Sequence, residues 1–250
     1  MVIVGLVLLG TGLVLAEPAS AAMARATWPT RAPATALLVW QGLGLGAGIA
    51  FLSSGVLLAL SSPLLLSAAL WGITASLAVR LLGVLIITGV RTLRARRRHR
   101  QLLDLIATPW PDRPGAAVLD HPTPVAYCLP GLHSRLVVSR GVLDMLTGPQ
   151  LEAVVAHERA HLAERHDLVV LPFVAWGATL PWLSGVLRSQ LAVAQLLEMR
   201  ADDVAATQCG AKHLAAALHR VSSHAGFTSG PSVSDFGSAA NRRARRVLSR

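Results

Sequence analysis

Lysine, tyrosine and cysteine are nearly missing from this 250-residue sequence, which has one Lys, one Tyr and two Cys. The two cysteines, Cys128 and Cys209, lie far apart, which excludes a disulfide framework and a CxxC metal knuckle. Charged residues make up only 14% against 53% hydrophobic, and mean hydropathy is +0.53, which excludes an ordinary soluble domain. Acidic residues are also scarce, 13 against 23 basic, leaving a formal net charge of +10. With Lys212 the single lysine, the basicity is arginine, and half of it sits in two short tracts, Arg91 to Arg100 and Arg242 to Arg250. Such clusters set membrane topology or touch anionic headgroups, so no direct contact with nucleic acid is expected. No repeat of the length that marks solenoids is present.

What the sequence has in abundance is long apolar runs. Val2 to Ala24, interrupted by Glu17, is long enough to cross a bilayer of roughly 30 Å as a helix. The run opens without a basic region, so it reads as a retained span rather than a cleaved signal peptide. Ala34 to Leu60 and Leu64 to Val90 form a hairpin of two further spans around Ser61-Ser62-Pro63. The uncharged loop at Ser61 places Arg25, Arg31 and the Arg91 tract on the cytoplasmic side. Arg80, inside the third run, has no acidic partner apparent in the sequence and reads as snorkelling. Gly42, Gly44, Gly46 and Gly48 suit close helix packing, and the six tryptophans suit membrane interfaces.

After residue 100 six prolines between Pro109 and Pro130 exclude one long helix, and a soluble domain begins. Pro124 to Leu129 and Leu136 to Ser139 read as short strands flanking Pro130-Gly131. Thr147 and Gln150 fit a capping box with Pro149 in the first turn, which predicts a helix from about Gly148 through His161.

That helix carries His157-Glu158-Arg159-Ala160-His161. Residues four apart share a helical face about 6 Å apart, so both imidazoles can reach one Zn²⁺, with Glu158 set about 100° around to address water on it. At this composition roughly 0.006 accidental HExxH matches are expected. A catalytic zinc needs a third protein ligand. Glu164 and Asp167 stand where a metzincin needs Gly and His. Glu164 shares the stripe of the two histidines, but three ligands in line on one helix fit a tetrahedral ion poorly. Glu198 is the better candidate, and Asp202 one turn later is placed to orient an imidazole from behind. His166, His213, His219 and His224 read as solvated. Arg200 and His166 are the candidates for stabilising an oxyanion.

His157 to Asp167, the apolar stretch that follows, and Glu198 to Ala205 resemble the BlaR/MecR-type bacterial membrane metallopeptidases, gluzincins related to the HtpX and Ste24 proteases. The resemblance extends to the three leading spans, to Ala126–Gly131 and to Val137–Leu143. It implies one Zn²⁺ per chain held by His157, His161 and Glu198, with Glu158 as catalytic base and Asp202 as supporting acid. It also implies a protein or peptide substrate lying extended along the strand region, such as the cytosolic repressor that family sensors cleave. Nothing resembles a β-lactam-binding serine site, so antibiotic sensing is not carried over.

The expected fold is mainly α, a multi-pass helical bundle in the cell membrane followed by a small α+β zinc-protease domain with a short hairpin or edge strand. Residues 1–90 are expected to hold three spans and 91–100 a cytoplasmic Arg-rich linker. Residues 101–225 are expected to form the peptidase domain, including a re-entrant or interfacial apolar segment at 168–187, and 226–250 a flexible basic tail. The competing reading is a non-catalytic membrane scaffold with a residual or structural zinc site.

Overall fold

The computed structural model describes residues 1–111, 113–129, 135–228 and 234–249. It is mostly helical with one small mixed sheet. The contacts divide it into two compact units, one of Met1–Thr92 with Asp167–Leu197, the other of Leu93–His166 with Glu198–Arg250.

The first unit holds three helices long and apolar enough to cross a membrane. The first comprises α1 (Val2–Val14), a wide turn at Leu15–Ala19 and α2 (Ser20–Arg25). Pro18 lies in that wide turn, where a lost backbone donor is accommodated by local widening of the helix. The second, α3 (Pro33–Leu60), packs antiparallel along α1. Their axes approach closely because Gly5 faces Leu58 and Gly12 faces Phe51, where an added Cβ would meet the opposing side chain at 2.9 Å. Gly44, Gly46 and Gly48 likewise lie against Phe173, Leu15 and Trp176. The tryptophans do not all mark interfaces, since Trp40 is buried and Trp176 packs edge-on to Phe51.

The third, α4, runs unbroken from Leu64 to Ile106. The expected linker at 91–100 is therefore helical, because arginine is a good helix former and nothing in the tract stops the helix, and the boundary between the two units falls within it at Thr92 and Leu93. Its most apolar stretch has no buried residue, with Leu64, Leu65 and Val79 at least 70% exposed.

The apolar segment after the HExxH helix is a helical hairpin, not one helix. α7 (His166–Thr179) ends before Pro181, and α8 (Ser184–Cys209) runs back. Within the first unit α7 follows α3 in the same direction. Gln41 Nε2 donates to Val169 O at 2.8 Å, Gly44 meets Phe173 and Gly48 meets Trp176. Gln190 Nε2 donates to Phe173 O at 2.7 Å, tying the two arms. Arg80 Nη2 donates to Ala178 O at 2.9 Å, so its partner is a carbonyl in the last turn of α7 rather than an acid. Glu17 takes the start of α8, accepting from Ser184 Oγ and Gly185 N at 2.9 Å each and from Arg188 at 2.6 Å.

In the second unit the sheet order is β1-β2-β4-β3, with strands β1 (Ala107–Pro109), β2 (Ala116–Leu119), β3 (Ala126–Leu129) and β4 (Arg135–Ser139). β3 and β4 pair antiparallel as the sequence predicts, while their turn at Pro130-Gly131 lies outside the described residues. β2 pairs parallel with β4 and antiparallel with β1, and neither β1 nor β2 was anticipated. Alternate residues face opposite ways. Leu129 and Val137 pack on Leu103 at the end of α4, while Leu136 and Val138 pack on Val142 of α5 (Arg140–Met145) and Val155 of α6 (Gly148–Ala163). The other side of α6, through Ala153 and Ala156, packs on Ala205 of α8, Leu214 of α9 (Ala211–Thr228) and Val247 of α10 (Ser234–Leu248). The expected flexible tail is therefore helical over Ser234–Leu248 and packs on α9.

Candidate metal centre

The capping box at Thr147 and Gln150 fixes where α6 begins, with Thr147 N donating to Gln150 Oε1 at 3.1 Å. That start, and burial of the alanine stripe against α8 and α9, decide which way His157 and His161 point. α6 ends at Ala163, and two residues on Arg165, with φ of 49°, makes the left-handed turn that follows the helix.

His157 and His161 bring Nε2 to Nε2 at 3.1 Å. Glu198, from α8, completes a triangle, with Oε2 at 3.5 Å from His157 Nε2 and Oε1 at 3.4 Å from His161 Nε2. Ligand atoms about 2.05 Å from a tetrahedral ion stand about 3.3 Å apart, so each of these three nitrogen–nitrogen and nitrogen–oxygen approaches is close to the spacing such an ion requires. Two imidazole nitrogens and a carboxylate oxygen are also a donor set suited to a first-row divalent metal, and the group fits the ion.

Asp202, wholly buried one turn beyond Glu198, faces His157 from behind, with Oδ1 3.1 Å from Nδ1. The structure thus brings together His157, His161, Glu198 and Asp202. Glu164 is not among them, because it pairs with Arg200 at 2.6 Å. His166 is buried rather than solvated, with Nδ1 at 2.7 Å from His161 Nδ1 and Nε2 at 3.1 Å from Glu164. The two oxyanion candidates are therefore engaged elsewhere, Arg200 on Glu164 and His166 behind His161. His213 and His219 lie exposed, and the side chain of His224 lies outside the described residues.

One participant escaped the sequence reading. Arg243, on α10, grips Asp202 through Nε and Nη2 at 2.7 and 2.6 Å and reaches Glu198 Oε2 through Nη1 at 2.8 Å. No sequence signal separates it from the other arginines of its tract.

The charges are arranged to suit a cation. Burial acts against the charged forms of Glu198 and Asp202, yet His157 and Arg243 hold both carboxyls down at about 2. His157 is buried too, which would lower it, but Asp202 and Glu198 raise it to about 9. His161 falls to about 4, first through burial and then through the neighbouring His157 charge. Glu158, on the same helix, is raised chiefly by burial, and the backbone N–H of Cys128 on edge strand β3 partly offsets this. A carboxyl raised by burial beside a metal site is equipped to take and return a proton.

The sequence comparison agrees with this chemistry. Residues 92–236, more than half of the chain, match the family described as peptidase family M48. No curated protein and no solved structure shows significant similarity to the chain. With an HExxH helix, a carboxylate from a later helix and a matched region that spans both, the chain belongs to peptidase family M48, whose members are metallopeptidases.

Proposed function

We propose that this protein is a membrane-embedded zinc endopeptidase in which His157, His161 and Glu198 hold one Zn²⁺ and Glu158 is the catalytic base. The observation that carries the proposal is the pair of imidazoles, Nε2 to Nε2 at 3.1 Å, on the helix that also bears Glu158, with the Glu198 carboxylate of α8 reaching them at 3.5 Å through Oε2 and 3.4 Å through Oε1. Bound there, the ion would polarise the scissile carbonyl and acidify a water. Glu158 accepts the proton of that water as it attacks, then delivers it to the amine that leaves. Asp202 holds the His157 ring from its far side. The edge strand β3, whose Cys128 backbone meets Glu158, would offer an extended peptide a line of backbone partners beside the base.

Apolar surface of the kind α4 presents, with none of its most apolar window buried, is stable in lipid and costly in water. His161 and Glu198 share one compact unit while 167–197 belongs to the other. The two arms, α7 and the start of α8, tied by Gln190 to Phe173 O, support the re-entrant reading of 168–187. Positive-inside counting supports a cytoplasmic peptidase unit. The substrate class is a cytosolic or membrane protein, with a transcriptional repressor the specific candidate drawn from the likeness to BlaR/MecR-type proteins.

The deciding experiment measures zinc content and hydrolysis of unfolded casein by the detergent-solubilised protein and by Glu158→Gln. Zinc near one per chain in both, with hydrolysis lost in the variant, is the expected result. Equal hydrolysis in both would remove Glu158 from the chemistry, and zinc without hydrolysis in either would favour the scaffold reading.

A further inference from the structure

Among the arginines of the C-terminal tract, Arg243 and Arg246 turn toward α8 and do different things there. Arg246 pairs with Asp203 at 2.8 and 3.1 Å and also donates to Met199 O, which fastens α10 to α8 through the chain neighbours of Asp202 and Glu198. Arg243 addresses the ligands themselves. Its Nε and Nη2 occupy both oxygens of Asp202, and its Nη1 takes Glu198 Oε2. It lies beyond residue 236, where the family match ends.

We propose that Arg243 is a positioning residue of the metal centre, fixing Glu198 and Asp202 in the geometry in which they serve one ion. The proposal rests on the assignment of His157, His161 and Glu198 as ligands. Glu198 is the loosest of the three, its side chain 42% exposed. Left alone, a carboxylate on a three-bond arm samples several rotamers. With Oε2 held by Arg243, Oε1 is left on the His161 side, 3.4 Å from Nε2. Asp202 is fully buried and can face His157 only while its own charge is compensated, which the same guanidinium does. Glu198 and Asp202 stand one helical turn apart, and a planar fork with donors on several edges can hold both at once, whereas an ammonium cannot. A closed circuit results, from His157 to Asp202 to Arg243 to Glu198 and back to His157.

The test uses the full chain in detergent. Zinc affinity is measured by competition with a chromogenic chelator for wild type, Arg243→Ala, Arg243→Lys, Arg246→Ala and His157→Ala, together with the visible spectrum of the Co²⁺-loaded proteins. Arg243→Ala should bind zinc about 10 to 100-fold more weakly and shift the Co²⁺ bands, as loss of a ligand-orienting partner does. Arg243→Lys, which preserves charge and most of the volume should the alanine variant not fold, should fall between the two. Arg246→Ala should lower the melting temperature and leave zinc affinity at the wild-type value. Wild-type affinity in Arg243→Lys would overturn the proposal, and so would tighter binding in Arg243→Ala, which would make Arg243 a plug in the ion's place. An equal loss in Arg246→Ala would overturn it as well, reducing Arg243 to a helix fastener. Zinc retained by His157→Ala would overturn the ligand assignment itself, and the proposal with it.

Discussion

Replacing Asp202 by Asn keeps the shape of the side chain and removes its charge, which isolates what the carboxylate contributes to stability. Asp202 is wholly buried, and its carboxyl is drawn from an ordinary 3.8 to about 2 by Arg243 and His157 in spite of burial. A folded-state value below the unfolded one means stability that is present at neutral pH and lost as pH falls through the folded value. At 1.36 kcal/mol per unit the difference is about 2 kcal/mol. A second route gives a similar figure. Removing one partner of a buried pair costs about 3–5 kcal/mol. Arg243 keeps Glu198 at 2.8 Å, so the low end applies. In a compact unit of this size, about 2–3 kcal/mol corresponds to a melting shift of about 8–12 °C. The assay is thermal unfolding of wild type and Asp202→Asn with a chelator present, so that metal affinity does not enter. The difference should be full at pH 7 and should shrink between about pH 4 and pH 2, as the wild-type carboxyl takes up its proton. A shift below about 2 °C at pH 7, or a difference that grows on acidification, would refute the reasoning.

His157→Ala, His161→Ala and Glu198→Ala should each lose zinc in elemental analysis while Glu164→Ala keeps it, because Glu164 is committed to Arg200 and His166. The opposite pattern for the two glutamates would reassign the third ligand. At pH 6, zinc binding should release about one proton, since His157 is raised to about 9 and must give up its proton to ligate, while His161, near 4, is already neutral. Calorimetry in buffers of different ionisation enthalpy reads this directly, and no release would contradict it. Single cysteines at positions 165 and 190, in a background lacking Cys128 and Cys209, should both label from the cytoplasm, and labelling from opposite faces would exclude the re-entrant hairpin.

The core of the candidate site is written in local patterns. The HExxH spacing and the capping box at Thr147 depend on a single helix, and Glu198 with Asp202 on the spacing of another, so reading them needs no knowledge of the tertiary fold. Arg243 and His166 lack such a pattern. Which arginine of a dense tract reaches α8 is decided by the angle at which α10 docks, and whether a histidine after a helix end folds back on His161 is decided by the left-handed turn at Arg165. The same reason hides β1 and β2. They are three and four residues long, and the parallel pairing of β2 with β4 joins residues about twenty positions apart, with no turn signal to announce it. The tract at 91–100 holds the boundary between the two units without ending a helix, since arginine changes what surrounds a helix and not whether it continues.

The bond between Glu17 and the start of α8 has a consequence for how the chain is made. Glu17 and Gly185 are 168 residues apart. At a synthesis rate of roughly 5–20 residues per second, the first helix waits on the order of 8–34 seconds for the groups that satisfy its carboxylate. On the membrane reading, a glutamate must enter or approach the bilayer long before Ser184, Gly185 and Arg188 exist, so initial insertion of that helix is driven by its apolar residues against the cost of an orphan charge. On that reading biogenesis is a two-step process, in which the helix bearing Glu17 is threaded in a provisional state and is locked only when the ribosome has passed residue 188.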